Sequence, residues 1–169
     1  MNSTLESWNA ASTGTALSAM IACGGARRWA EAMVALRPFA GQAELSEAAD
    51  RLWNSMEEAD WLEAIACHPR IGERKAAHPS ARSDAWSKQE QSSANCATEH
   101  VLARLAEGNA LYEKRYGFTY IVCATGKSAD EMLAILKRRL NSSRAKELRE
   151  AAEQQRQIMQ IRLGKWLAE

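Results

Sequence analysis

The segment His68-Pro69-Arg70-Ile71-Gly72-Glu73 sets an imidazole immediately before a proline, whose ring pushes the preceding residue out of the helical region. The amphipathic stretch that ends in Ile65-Ala66-Cys67 must therefore stop there and present His68 at its C-terminus. A helix dipole favours a cation at that end, and histidine is the side chain whose ordinary titration lies near neutral pH, so His68 is a candidate for moving a proton. The same dipeptide also fits a plain helix stop. His78-Pro79 serves as an internal control, because no periodic apolar run precedes it and it reads as structural.

Two charges stand where apolar residues are expected. On a wheel of about 100° per residue, Ala94, Ala97, Val101, Leu105 and Tyr112 form one stripe of a helix expected over 88–116, and Glu90 falls inside it. A carboxylate facing a core is costly unless paired, and desolvation would bring it towards a useful range for proton transfer. Ser87-Lys88-Gln89-Glu90 is equally a capping box, in which Glu90 would only close a helix start. In that reading the Ser87 hydroxyl, the Gln91 amide and the open backbone amides of the first turn are donors suited to carboxylate or urea oxygens.

Near the C-terminus, Leu148, Ala151, Ala152, Ile158, Met159, Leu163 and Trp166 define an apolar arc, and Arg162 lies within it. Three roles are open to it: snorkelling, pairing with a core carboxylate such as Glu90, or offering its planar fork to an anionic substrate. A histidine, a glutamate and an arginine so placed amount to an acid/base pair with an anion clamp. Adjacent Cys67 and His68 do not make a nucleophile pair, since neighbouring side chains diverge on a helix.

The elements that must position these residues are helical. Three prolines, nine glycines and abundant Ala, Leu, Glu, Lys and Gln predict an all-α single domain, with helices over 15–22, 26–36, 45–54, 57–67, 88–116, 129–140 and 144–167. Capping boxes mark starts at Ser55, Ser87 and Ser128, and Gly24-Gly25 and Gly117 mark stops. The β-branched and aromatic run Phe118-Thr119-Tyr120-Ile121-Val122-Cys123-Ala124 has no partner strand and is expected to be an extended connector through the core.

Lys plus Arg (22) nearly balance Asp plus Glu (21), and no basic cluster interleaves with aromatics, which argues against nucleic acid and for a small-molecule partner. Cys23, Cys67, Cys96 and Cys123 are dispersed, as buried thiols of a reducing compartment are. The start lacks leader features and no run reaches membrane-spanning length, so a cytoplasmic protein without membrane partners is expected. His68, His78 and His100 lack ligand spacing, and no metal is expected. Gly126-Lys127-Ser128 lacks the glycine-rich cradle of a phosphate loop.

Taken together the chain resembles the family of OHCU decarboxylases, which convert 2-oxo-4-hydroxy-4-carboxy-5-ureidoimidazoline to (S)-allantoin in urate breakdown. The resemblance rests on His68-Pro69 with Ile71-Gly72, Ser87-x-x-Glu90-Gln91, Tyr112-x-x-Arg115-Tyr116-Gly117-Phe118 leading into Ile121-Val122-Cys123-Ala124, and Ile158-x-x-Ile161-Arg162-Leu163. Upstream, Ala22-Cys23-Gly24-Gly25, Arg28-Trp29-Ala30 and Arg37-Pro38-Phe39 extend it over nearly the whole chain. It implies an all-helical bundle, a homodimer and no cofactor. By position it makes His68 catalytic with Glu90 as its acid/base companion. It places Pro69, Ser87, Lys88, Gln89, Glu90, Gln91, Tyr120, Ile121, Val122, Cys123, Ala124 and Arg162 against the substrate. The C-terminus, Lys165-Trp166-Leu167-Ala168-Glu169, is not a peroxisomal tripeptide, which fits a bacterial cytoplasmic member. Two rivals are a noncatalytic helical binding module and a helical lyase or hydrolase acting on another ureide.

Overall fold

The computed structural model describes residues 2–72, 81–92 and 97–169. The described residues form nine helices: α1 (Ser3–Ala10), α2 (Thr13–Gly24), α3 (Arg27–Ala35), α4 (Gln42–Asn54), α5 (Glu58–Ala66), α6 (Ala81–Glu90), α7 (Glu99–Tyr116), α8 (Ala129–Arg139) and α9 (Arg144–Leu167). They include no strand, so the all-α expectation holds, and no helix among them is long and apolar enough to cross a membrane.

The helix expected over 88–116 is instead two helices. α6 ends at Glu90 and α7 starts afresh at Thr98, whose hydroxyl accepts the Val101 amide. Ser92, just past the end of α6, is of a residue type whose side chain competes for backbone hydrogen bonds, which a wheel does not register. α1 was not expected from the sequence; its start is capped by Asn2, whose side chain accepts the Leu5 amide at 3.0 Å, and it buries Leu5 and Trp8. His78-Pro79 and Cys96 lie outside the described residues.

Two compact units make up the chain, Met1–Ala64 with Arg156–Glu169, and Ile65–Gln155. The first is a tryptophan-rich core in which the indole N–H groups of Trp8 and Trp29 donate to the carbonyls of Ala16 and Ala49. The last half of α9 is tied into it by Arg156, which meets Asp50 at 2.9 Å, and by Gln160, which donates to the Ser46 carbonyl. Gly25 closes α2 in the left-handed region, φ 79°.

The second unit packs α7 against α8 at Gly108, where a Cβ would stand 2.5 Å from Leu136 Cδ2. α7 ends in left-handed Gly117, and α8 opens with the expected capping box, Ser128 accepting the Glu131 amide while Glu131 accepts the Ser128 amide. Between them lies the expected connector: residues 119–124 are neither helix nor strand, and Tyr120 through Ala124 are all buried. Behind it, Tyr112, Tyr116, Phe118 and Tyr120 stack edge to face around Tyr112.

Candidate active site

α5 stops at Ala66, and the His68 amide closes the turn by donating to the Ile65 carbonyl at 3.1 Å. Pro69 is buried and His68 partly so. Three contacts fix the segment that follows. Arg70 makes a two-pronged pair with Glu113, Nε to Oε1 at 2.7 Å and Nη2 to Oε2 at 2.6 Å. Asn109 donates to the Ile71 carbonyl at 3.1 Å, and the Gly72 amide donates to Gln91 Oε1 at 3.1 Å. Gly72 itself holds φ 87°, a region in which a side chain would be strained. A loop so held carries its histidine on a rigid base.

The helix that carries Glu90 runs the opposite way from the capping-box expectation: Ser87 to Glu90 form the last turn of α6, not the first turn of a new helix. The turn therefore presents carbonyls rather than open amides. The spacing within α6 nonetheless puts the expected pair inside. Ser83, Trp86, Ser87 and Glu90 share the buried face, with Glu90 8 % exposed. Lys88 and Gln89 point outward, and Lys88 is paired with Asp84 at 2.6 Å. Gln91 spends its carbonyl oxygen on Gly72, which makes it a strut between the two segments.

Glu90 also acts electrostatically on the connector. Burial first, and then the Glu90 carboxylate, push the Cys123 thiol up from its ordinary range, against Lys127 and the Thr125 amide, which act the other way. Residues 68–72 and 87–91 are joined in the second unit by the Gln91–Gly72 bond, and the Glu90 carboxylate lies near enough to the connector to act on the Cys123 thiol.

The backbone of the connector is held from one side. Arg139 Nη1 donates to the Ile121 carbonyl at 2.7 Å, the Cys123 amide donates to Gln154 Oε1 at 2.8 Å, and Lys127 Nζ donates to the Cys123 carbonyl at 2.8 Å. Among the described residues nothing pairs with the Val122 N–H, the Val122 C=O or the Ala124 N–H. Buried peptide groups seldom stay unpaired, and a donor, an acceptor and a donor in succession are matched by the C=O, N–H and C=O of a ureide or cyclic imide. Tyr120 is anchored through its hydroxyl, which donates to the Met132 carbonyl.

Arg162 is buried as expected, 4 % exposed, on the part of α9 that belongs to the first unit. Its Nη1 reaches the Ala22 carbonyl at 3.5 Å, in the last turn of α2, where helix carbonyls and dipole favour a cation.

Sequence reasoning missed the buried Arg139 and Glu147, which meet at 2.9 Å, and the half-buried brace Gln154. A signal existed: Arg139 continues the buried spacing of Met132 and Leu136, and Glu147 lies four residues before Ala151 on the arc of α9. Tyr112 donates to Glu147 at 2.7 Å, and burial above all drives the Tyr112 and Tyr120 phenols far above their ordinary range.

A family model described as OHCU decarboxylase matches residues 9–164. Among curated proteins, the chain is 38% identical over 146 residues to the uric acid degradation bifunctional protein TTL of Arabidopsis thaliana, an alignment covering 85% of this chain but 44% of that protein. It is 28% identical to the 2-oxo-4-hydroxy-4-carboxy-5-ureidoimidazoline decarboxylase of Amia calva, over 75% of this chain and 73% of that one. Among solved structures, OHCU decarboxylase in the presence of (S)-allantoin superposes with a TM-score of 0.77 at 34% identity, covering 90% of this chain and 99% of that one.

Proposed function

The chain belongs to the OHCU decarboxylase family, and on that premise we propose that it decarboxylates 2-oxo-4-hydroxy-4-carboxy-5-ureidoimidazoline to (S)-allantoin. The substrate supplies its own electron sink. Its carboxylate sits on a ring carbon next to a carbon–nitrogen double bond, so the electron pair left by departing carbon dioxide moves into the ring as an enol-like system. The protein has to align the breaking bond with that π system, take the hydroxyl proton, and return a proton to the neighbouring carbon from one face.

His68 and Glu90 carry those proton transfers, with typical effects of ~10²–10⁴-fold. The Ser87 hydroxyl and Pro69 border the ring, and the family likeness alone makes Arg162 the candidate cationic contact. The Val122 and Ala124 amides and the Val122 carbonyl receive the ureido and ring groups. That buried backbone edge, unpartnered among the described residues, is the observation that carries the assignment. Of the segment 87–91, Ser87 and Glu90 are the buried members, Lys88 and Gln89 border the substrate from the exposed face, and Gln91 also serves as a strut to Gly72. One-sided proton delivery makes the product stereospecific. The family likeness also supports a homodimer that works without a cofactor.

The test generates the substrate in situ from urate and follows the product by circular dichroism. Rapid formation of (S)-enriched allantoin is expected. Slow racemic allantoin at the uncatalysed rate would overturn the assignment.

A further inference from the structure

Three peptide groups of the connector share one geometry. A trans peptide points its C=O and the next N–H in opposite directions, and the only cis bond among the described residues is Arg37-Pro38. Arg139 on the Ile121 carbonyl therefore aims the Val122 N–H away from Arg139. Gln154 on the Cys123 amide aims the Val122 C=O away from Gln154, and Lys127 on the Cys123 carbonyl aims the Ala124 N–H away from Lys127. Each clamped end has an opposite end that is unpartnered among the described residues, and those ends are the donor, acceptor and donor described above.

We propose that Arg139 and Gln154 are positioning residues, which set the direction of the Val122 N–H and C=O that read the substrate's ureide or imide edge. The inference rests on the decarboxylase reading. Neither side chain needs to touch substrate. Arg139 is itself immobilised: Nε donates to Glu147 Oε2 at 2.9 Å, Nη2 to the Tyr112 hydroxyl at 3.2 Å, and its Cζ lies 5.1 Å from the centroid of the Tyr120 ring. Gln154 is oriented by donating its Nε2 to Glu150 at 2.9 Å, which turns Oε1 towards Cys123. A guanidinium held at each of its three nitrogens fixes a carbonyl far better than a lysine, which lacks the planar fork.

The decisive variants are Arg139→Lys, Gln154→Met and Gln154→Glu, measured in the full chain beside wild type with folding checked by far-ultraviolet circular dichroism. Gln154 is half-buried, so Gln154→Met tests the idea even where Arg139→Lys fails to fold. Backbone contacts made equally to substrate and transition state act on KM. Losing the direction of one such hydrogen bond should raise KM about fivefold, with kcat changed much less. A loosened ring also admits protonation on the other face, so the (S) excess should fall, and Gln154→Glu, which keeps the acceptor but loses the donor to Glu150, should restore both only in part. A purely structural role would lower the amount of active protein without moving KM or the (S) excess. Wild-type KM and (S) excess in Gln154→Met would overturn the positioning role while the decarboxylase reading stands. Racemic product from wild type would overturn both.

Discussion

Neutralising Glu147 should be among the most damaging single substitutions in the chain. Its side chain is 3 % exposed and that of Arg139 5 %. One carboxylate oxygen accepts from Arg139 Nε at 2.9 Å and from the Tyr112 hydroxyl at 2.7 Å. Glu147→Gln leaves the guanidinium buried without its countercharge, with only the Ile121 carbonyl and a phenol beside it. Removing one partner of a buried ion pair costs about 3–5 kcal/mol, a large part of the ~5–15 kcal/mol that holds a typical domain. The Arg27–Glu31 pair is the control: its side chains are 64 % and 52 % exposed, and Glu31→Gln should cost no more than ~1 kcal/mol. Urea unfolding followed by circular dichroism compares the two. The double variant Arg139→Met/Glu147→Leu should recover much of the loss, because it orphans no charge. Equal midpoints for Glu147→Gln and Glu31→Gln would refute the reasoning.

Gly108→Ala should destabilise by about 1–3 kcal/mol, since the new methyl meets Leu136 at 2.5 Å and overpacking outweighs the ~1 kcal/mol gained in helix propensity; a higher melting temperature would contradict the packing of α7 on α8. The raised phenols of Tyr112 and Tyr120 keep their protons in the folded chain, so above the ordinary value of about 10 the folded state binds more protons than the unfolded one. Stability from these groups is complete below that pH and falls as pH rises past it. Absorbance at 295 nm should show both ionising only with alkaline unfolding, whereas ionisation ahead of unfolding would contradict it. Arg70→Ala releases the two-pronged hold of Glu113 on the His68 loop, and kcat should fall about tenfold or more from misplacement alone; unchanged kcat would mean the remaining anchors suffice.

Much of this was legible where the chemistry is local. The arc of α9, the Ser128 capping box, left-handed Gly117 and the extended connector each depend on residues a few positions apart. Glu90 had two open readings, a core-facing carboxylate and an outward cap, and it is buried; the wheel that suggests burial runs through a helix break, and the true stripe is that of α6. The same error turned a last turn into a first turn and offered amides where carbonyls stand. What periodicity cannot carry is pairing across the fold. Arg70 with Glu113 and Asn109 with the Ile71 carbonyl join residues far apart in sequence, and no spacing rule selects those partners. The unused edge of the connector was legible only once Arg139, Gln154 and Lys127 were seen to occupy the other.

The central claim is that His68 and Glu90 move protons on a ring held by the connector's backbone. Circular dichroism of the allantoin formed from in situ substrate, with wild type and His68→Asn compared at equal folded concentration, tests it most directly. The account predicts a rapid (S)-enriched signal from wild type and slow racemic product from His68→Asn. Rapid (S)-enriched allantoin from His68→Asn would contradict it.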